Sequence, residues 1–86
     1  MPKVSEFFGI AIYVYYDDHP PPHFHARYQG GSVRVAMEDL TLLSGDIGPR
    51  ALGLVLEWAR LHRPELSEAW ERAVAGQALP RIAPLE

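Results

Sequence analysis

Cysteine is absent from this 86-residue sequence. Disulfides, thiol catalysis and all-cysteine zinc sites are therefore excluded. Long apolar runs are absent too. The longest stretch free of charge, Phe7 to Tyr16, falls far short of the roughly 20 residues a membrane-spanning helix needs. The opening Met1-Pro2-Lys3-Val4-Ser5-Glu6 does not have the shape of a signal peptide, so the expectation is a cytoplasmic protein without membrane association. There are no repeats, no Gly-rich phosphate loop, no nucleophile elbow and no helical pair of zinc ligands. Positive charge is scarce. Eight basic residues, all but Lys3 arginine, stand against 11 acidic ones, for a net charge of −3. That balance disfavours a broad electrostatic grip on nucleic acid while leaving a local one open.

What is present is a globular composition, 48% apolar and 22% charged, which argues against disorder. The length fits a single domain, 1–86, that buries roughly 60–65% of the surface its unfolded chain exposes. Phe8 to Tyr16 is dense in Ile, Val and Tyr, which suits a strand. Asp17-Asp18-His19-Pro20-Pro21-Pro22 ends it, because three prolines cannot donate to a ladder. His23 to Tyr28 reads as a second strand, and Gln29-Gly30-Gly31-Ser32 as a hairpin turn. Ser32 to Met37 alternates, with Val33, Val35 and Met37 on one face. Leu40 to Leu43 is a short fourth candidate.

The patterning changes near Gly48. Pro49 suits the first position of a helix in which Leu52, Val55, Leu56 and Ala59 share a side flanked by Leu54, Trp58 and Leu61. Pro64 opens a second helix with Glu65 in its first turn; Leu66, Ala69, Trp70, Ala73 and Val74 form its apolar stripe and Gly76 its C-terminal cap. Leu79 to Leu85 reads as an extended tail over the core. Strands followed by helices predict an α+β fold, a three- or four-stranded antiparallel meander with two helices packed on one face. Ile10, Ile12, Val14, Phe24, Ala26, Val33 and Val35 should face the helices. Alternation then puts Tyr13, Tyr15, His23, His25, Arg27 and Arg34 on the opposite face, with no further sequence to cover them.

Three of the four histidines, His19, His23 and His25, lie within seven residues. Residues i and i+2 of a strand share a face, so His23 and His25 can chelate one divalent ion such as zinc, with Asp18 or Asp17 as a carboxylate ligand. His19 is a less convenient ligand, because three extended prolines hold it roughly 12 Å along the chain from His23; a cis bond in the triple proline would shorten that reach. The alternative is that these histidines make surface hydrogen bonds and the aspartates end strands. Acid–base chemistry is a further possibility, with the His pair beside Arg27 and Arg34 acting on a phosphodiester without metal. His62, near the end of the first helix, is either an accessory group or a capping residue favoured by the helix dipole. Tyr13, Tyr15, Arg27 and Arg34 also suit a binding face, for a nucleic-acid base, a partner chain or a homodimer.

The segments Val4-Ser5-Glu6-Phe7-Phe8-Gly9-Ile10, Tyr16-Asp17-Asp18-His19, Pro21-Pro22-His23-Phe24-His25-Ala26, Leu56-Glu57-Trp58-Ala59 and Leu61-His62-Arg63 resemble a small bacterial family catalogued as domain of unknown function 4160. Pro20 departs from the residue usual there. The resemblance implies no activity. It does imply a gene neighbour of similarly small size, and with it an interaction module in a two-gene regulatory or toxin–antitoxin-like system, working as a homodimer or as a heteromer with the neighbouring gene product. It directs interest to Asp18, His19, His23, Phe24, His25, Trp58 and His62. A small metal-dependent or histidine-based hydrolase or ribonuclease is the competing expectation.

Overall fold

A computed structural model describes residues 2–86. Five strands precede two helices: β1 (Lys3–Phe7), β2 (Ile10–Tyr13), β3 (His23–Tyr28), β4 (Gly31–Ala36), β5 (Leu42–Gly45), α1 (Pro49–Leu61) and α2 (Arg63–Val74). The strands form one antiparallel sheet in the order β1-β2-β3-β4-β5. The α+β meander is as expected, with one strand more than the largest expected number.

The extra strand is β1, which precedes the apolar run Phe8 to Tyr16; that run itself supplies β2, shortened to Ile10–Tyr13. Phe7 pairs with Ile10 across a turn whose central residues, Phe8 and Gly9, have φ of 52° and 79°. That is the positive-φ pairing a tight hairpin needs. Phe at a left-handed position carries no turn signal in sequence, and Lys3, Ser5 and Glu6 dilute the apolar pattern of β1. The second turn also shifts: Gln29 and Gly30, at φ 48° and 82°, are its centre, and Gly31 already pairs with Tyr28.

The helices cover one face. Every residue expected there, Ile10, Ile12, Val14, Phe24, Ala26, Val33 and Val35, is buried against Ala51, Val55, Trp58, Ala59, Leu66, Ala69 and Ala73. Trp58 is fully buried and donates from Nε1 to the carbonyl of Ala83 at 2.8 Å. The backbone N–H of Ile82 donates to Val4 O at 2.8 Å, so the tail lies along β1 as expected. Two stripe residues are corrected. Leu61 and Val74 are exposed, each falling at the last turn of its helix where the chain leaves the sheet. Gly76, at φ 72°, caps α2: its N–H donates to Ala73 O and that of Gln77 to Arg72 O, closing a Schellman motif. Among the described residues no helix is long and apolar enough to cross a membrane.

Candidate metal centre

The face away from the helices is not the open aromatic surface expected. Tyr13 is only 8% exposed and His23 only 3%. The connection from Val14 to Pro22 returns to this face at Tyr13, His23 and His25, and leaves Arg27 and Arg34 exposed. Met37 N–H donates to Pro22 O at 2.9 Å, continuing the β3–β4 pairing beyond His23. Tyr15 stacks on Tyr13, with ring centroids 5.8 Å apart and planes 6° apart, and meets His25 edge-on at 4.6 Å. From the other side Trp70 of α2 approaches the His23 ring at 5.4 Å. The Pro20–Pro21 bond is cis.

This return carries Asp18 to the two histidines. Its Oδ2 lies 2.8 Å from His25 Nε2 and 3.3 Å from His23 Nε2. The His23 ring is oriented by its other nitrogen, which donates from Nδ1 to the carbonyl of Pro21 at 2.8 Å. A backbone carbonyl can only accept, so the proton sits on Nδ1, and in the neutral ring Nε2 presents its lone pair. That Nε2 is buried and has no hydrogen-bond partner, because Asp18 is near it but off the hydrogen-bond line. An N–H···O=C bond on the far nitrogen is how metal-binding histidines are held in the correct tautomer.

The three ligand atoms, one each from Asp18, His23 and His25, lie within 4.8 Å of one another. Ligand atoms around a tetrahedral ion bound at about 2.0–2.2 Å stand roughly 3.3–3.5 Å apart. The His23–Asp18 separation already suits that; the His25–Asp18 contact opens slightly when an ion replaces its hydrogen bond. Two imidazoles and one carboxylate suit zinc and its neighbours in the first transition row. Three protein ligands leave a position free, which distinguishes a reactive or ligand-exchanging site from a closed structural one.

The remaining candidates fall elsewhere. His19 and Asp17 are exposed, and neither belongs to this cluster. Of the two further ligands considered, His19 and Asp18, it is Asp18 that stands with His23 and His25. His62 joins α1 to α2, ending one and starting the other, with Nδ1 2.9 Å from Glu65 Oε2 and its ring 5.5 Å from Trp58. It stands at the cap position of both helices, its side chain making no capping hydrogen bond, and is not among the clustered residues Asp18, His23 and His25. Phe24 and Trp58 are core residues, 6.0 Å apart and edge to face. Arg34 pairs with His25 in the β3–β4 register and donates from Nε to Ser44 Oγ at 2.9 Å. Arg27 lies over the Tyr13 ring at 5.8 Å. Trp70 reads in the sequence as a core residue of the α2 stripe; its packing on His23 carries no signal short of the fold itself.

Fold and cluster together define a small α+β domain with a His–His–Asp constellation at the His23 end of β3, beside the Val14–Pro22 connection. The chain belongs to the family described as Domain of unknown function (DUF4160), whose family model matches residues 9–71. That span includes all three clustered residues and both helix starts. No curated protein and no solved structure matches the chain.

Proposed function

We propose that this domain binds a divalent transition-metal ion, zinc in the first instance, through Asp18, His23 and His25, and that the coordination position left open serves hydrolytic chemistry. The observation that supports this reading is the Nε2 of His23, buried, without a partner and 3.3 Å from the Asp18 carboxylate. A buried polar atom left unpaired costs about 1–3 kcal/mol, and an ion bound there removes that penalty. A zinc ion in such a site brings the pKa of its bound water to about 7 and supplies a nucleophile near neutral pH. Calorimetric titration of chelator-treated protein with zinc tests the site. One ion per chain should bind, with loss of saturable heat in Asp18→Ala and in a His23→Ala, His25→Ala double variant. No saturable heat in the parent, or the same heat in the variants, rejects it.

A second reading concerns association. All four residues of β5 are exposed, Leu42 and Leu43 among them, whereas the opposite edge at β1 is met by the tail at Val4. One open edge and one covered edge favour a closed pair of identical chains joined β5 to β5 over an open filament. This is the form of the interaction-module role that the fold supports. Light scattering at micromolar concentration should give twice the chain mass, and Leu43→Lys should return a single-chain mass. A single-chain mass in the parent rejects self-association.

A further inference from the structure

Two arginines share the sheet face that holds the metal site. Arg34 stands directly across from His25 in register, and Arg27 follows His25 by two residues on the same strand. Directly opposed side chains on neighbouring strands have Cβ atoms about 4.5–5.5 Å apart, and same-face neighbours along a strand about 6.6 Å. Both arginines are exposed, and among the described residues neither forms an ion pair. Among the described residues Arg34 bonds only through Nε, to Ser44, with neither terminal nitrogen engaged, and the Tyr13 ring supports Arg27. In a chain with net charge −3 and 11 acidic residues, two unneutralised guanidiniums beside one site are a local concentration of positive charge.

We infer that the open side of the Asp18–His23–His25 site takes a phosphate monoester, one oxygen on the bound ion and the others on Arg34 and Arg27. This inference rests on the metal reading above. A phosphoryl group offers oxygens in three directions, which matches one ion and two guanidiniums; a carboxylate offers two oxygens in one plane. Guanidinium forks pair with phosphate through two parallel hydrogen bonds. The dianion's charge matches the two arginines. A long nucleic acid strand needs a stripe of cations, which this face does not provide.

The test uses full-length protein loaded with Co²⁺, whose visible spectrum reports the coordination sphere. Inorganic phosphate, adenosine monophosphate, acetate and a single-stranded RNA decamer without terminal phosphates are titrated in turn. Phosphate and the monophosphate should perturb the spectrum saturably. Arg34→Gln and Arg27→Gln should each weaken binding at least tenfold with Co²⁺ loading and far-UV circular dichroism unchanged, and Arg34→Lys should recover part of the loss. Loading without a phosphate response overturns this inference alone. So does equal binding of acetate, tighter binding of the RNA, or undiminished phosphate binding in the double arginine variant. Failure to load Co²⁺ overturns the metal site and this inference with it.

Discussion

Six residues, a triple proline among them, lie between Asp18 and His25, yet the carboxylate Oδ2 of one stands 2.8 Å from Nε2 of the other. This contact is a hydrogen bond from the imidazole to the carboxylate. On the metal reading proposed above, a bound ion would replace it and tie the Val14–Pro22 connection to β3 at two points. A ligand that binds only the folded chain stabilises it by about 2.7 kcal/mol at a free concentration one hundred times Kd. For a domain of this size each kcal/mol shifts Tm by about 4–8 °C. Zinc at that excess should therefore raise Tm by about 10–20 °C, and excess chelator should reverse the rise. An unchanged melting curve would falsify specific binding to the native state.

The orphaned Nε2 of His23 makes a second expectation that separates function from stability. His23→Phe keeps an aromatic ring between His25 and Trp70, where the rings now lie 5.1 and 5.4 Å from His23. It removes the unpaired buried nitrogen at the loss of the bond to Pro21 O, and Pro21 is exposed and can turn to water. In chelator the variant should be as stable as the parent or up to about 1 kcal/mol more stable, while zinc no longer shifts its Tm. Urea denaturation with and without zinc measures both. A loss above about 2 kcal/mol in chelator would assign His23 a structural role instead.

The helices are legible in the sequence because proline marks both starts, at Pro49 and Pro64, and their apolar spacing is regular. The core face of the sheet is legible because Val33 and Val35 alternate with Arg34, and Phe24 and Ala26 with His23 and His25. The Asp18–His23–His25 cluster is legible only in part. The strand period puts His23 and His25 together, but the choice of Asp18 over Asp17 or His19 depends on the path of the Val14–Pro22 connection, which no periodicity encodes. The burial of Tyr13 and His23 was illegible for the same reason: a polar, proline-rich segment reads as a spacer, whereas here it acts as a cover. β1 was missed because its turn rests on a phenylalanine.

That turn supplies the third prediction. Phe8 is 60% exposed and sits at φ 52°, next to Gly9 at φ 79°. A non-glycine residue in the left-handed region is strained, and asparagine tolerates it best. Phe8→Asn writes Asn-Gly, the pair most suited to a two-residue hairpin. The variant loses an edge-to-face contact with Phe7 at 6.4 Å. The relief should exceed that loss, with a net gain of about 0.5–1 kcal/mol, visible as a higher urea midpoint at constant slope. A lower midpoint would mean that the exposed ring packs more strongly than its exposure suggests.

Gly45 makes the opposite prediction at the other end of the sheet. It sits at φ 94°, and a Cβ there would lie 2.0 Å from Ser32 O and 2.9 Å from Val33 Cα. Both are backbone atoms of β4, which cannot move aside without breaking the ladder. Gly45→Ala should cost more than about 3 kcal/mol, combining a strained φ with a backbone clash. The loss should concentrate in β5, so amide exchange at Leu42–Gly45 should accelerate before that of β2 and β3. Uniform acceleration across the sheet would show that β5 unfolds only with the whole domain.

The last prediction concerns Trp58 and the tail. Trp58 packs between Phe7 at 5.5 Å and Phe24 at 6.0 Å, and its Nε1 holds Ala83 O. One residue earlier, Ile82 is buried at 4% exposure and bonded to Val4. Trp58→Phe removes the donor and leaves a void, a loss of about 1–3 kcal/mol. Truncation after Pro80 removes Ile82 from the core, a loss of about 2–3 kcal/mol from its side chain. If the indole anchors the tail, each change already loses part of what the other removes, and the combined variant should lose at least about 0.5 kcal/mol less than the sum. A domain of this length has roughly 4–13 kcal/mol in total, so the cycle closes by urea denaturation when the parent's stability exceeds the combined loss of about 3–6 kcal/mol. Strict additivity would show that the tail is held by Ile82 alone and that the Trp58 hydrogen bond adds nothing to its attachment.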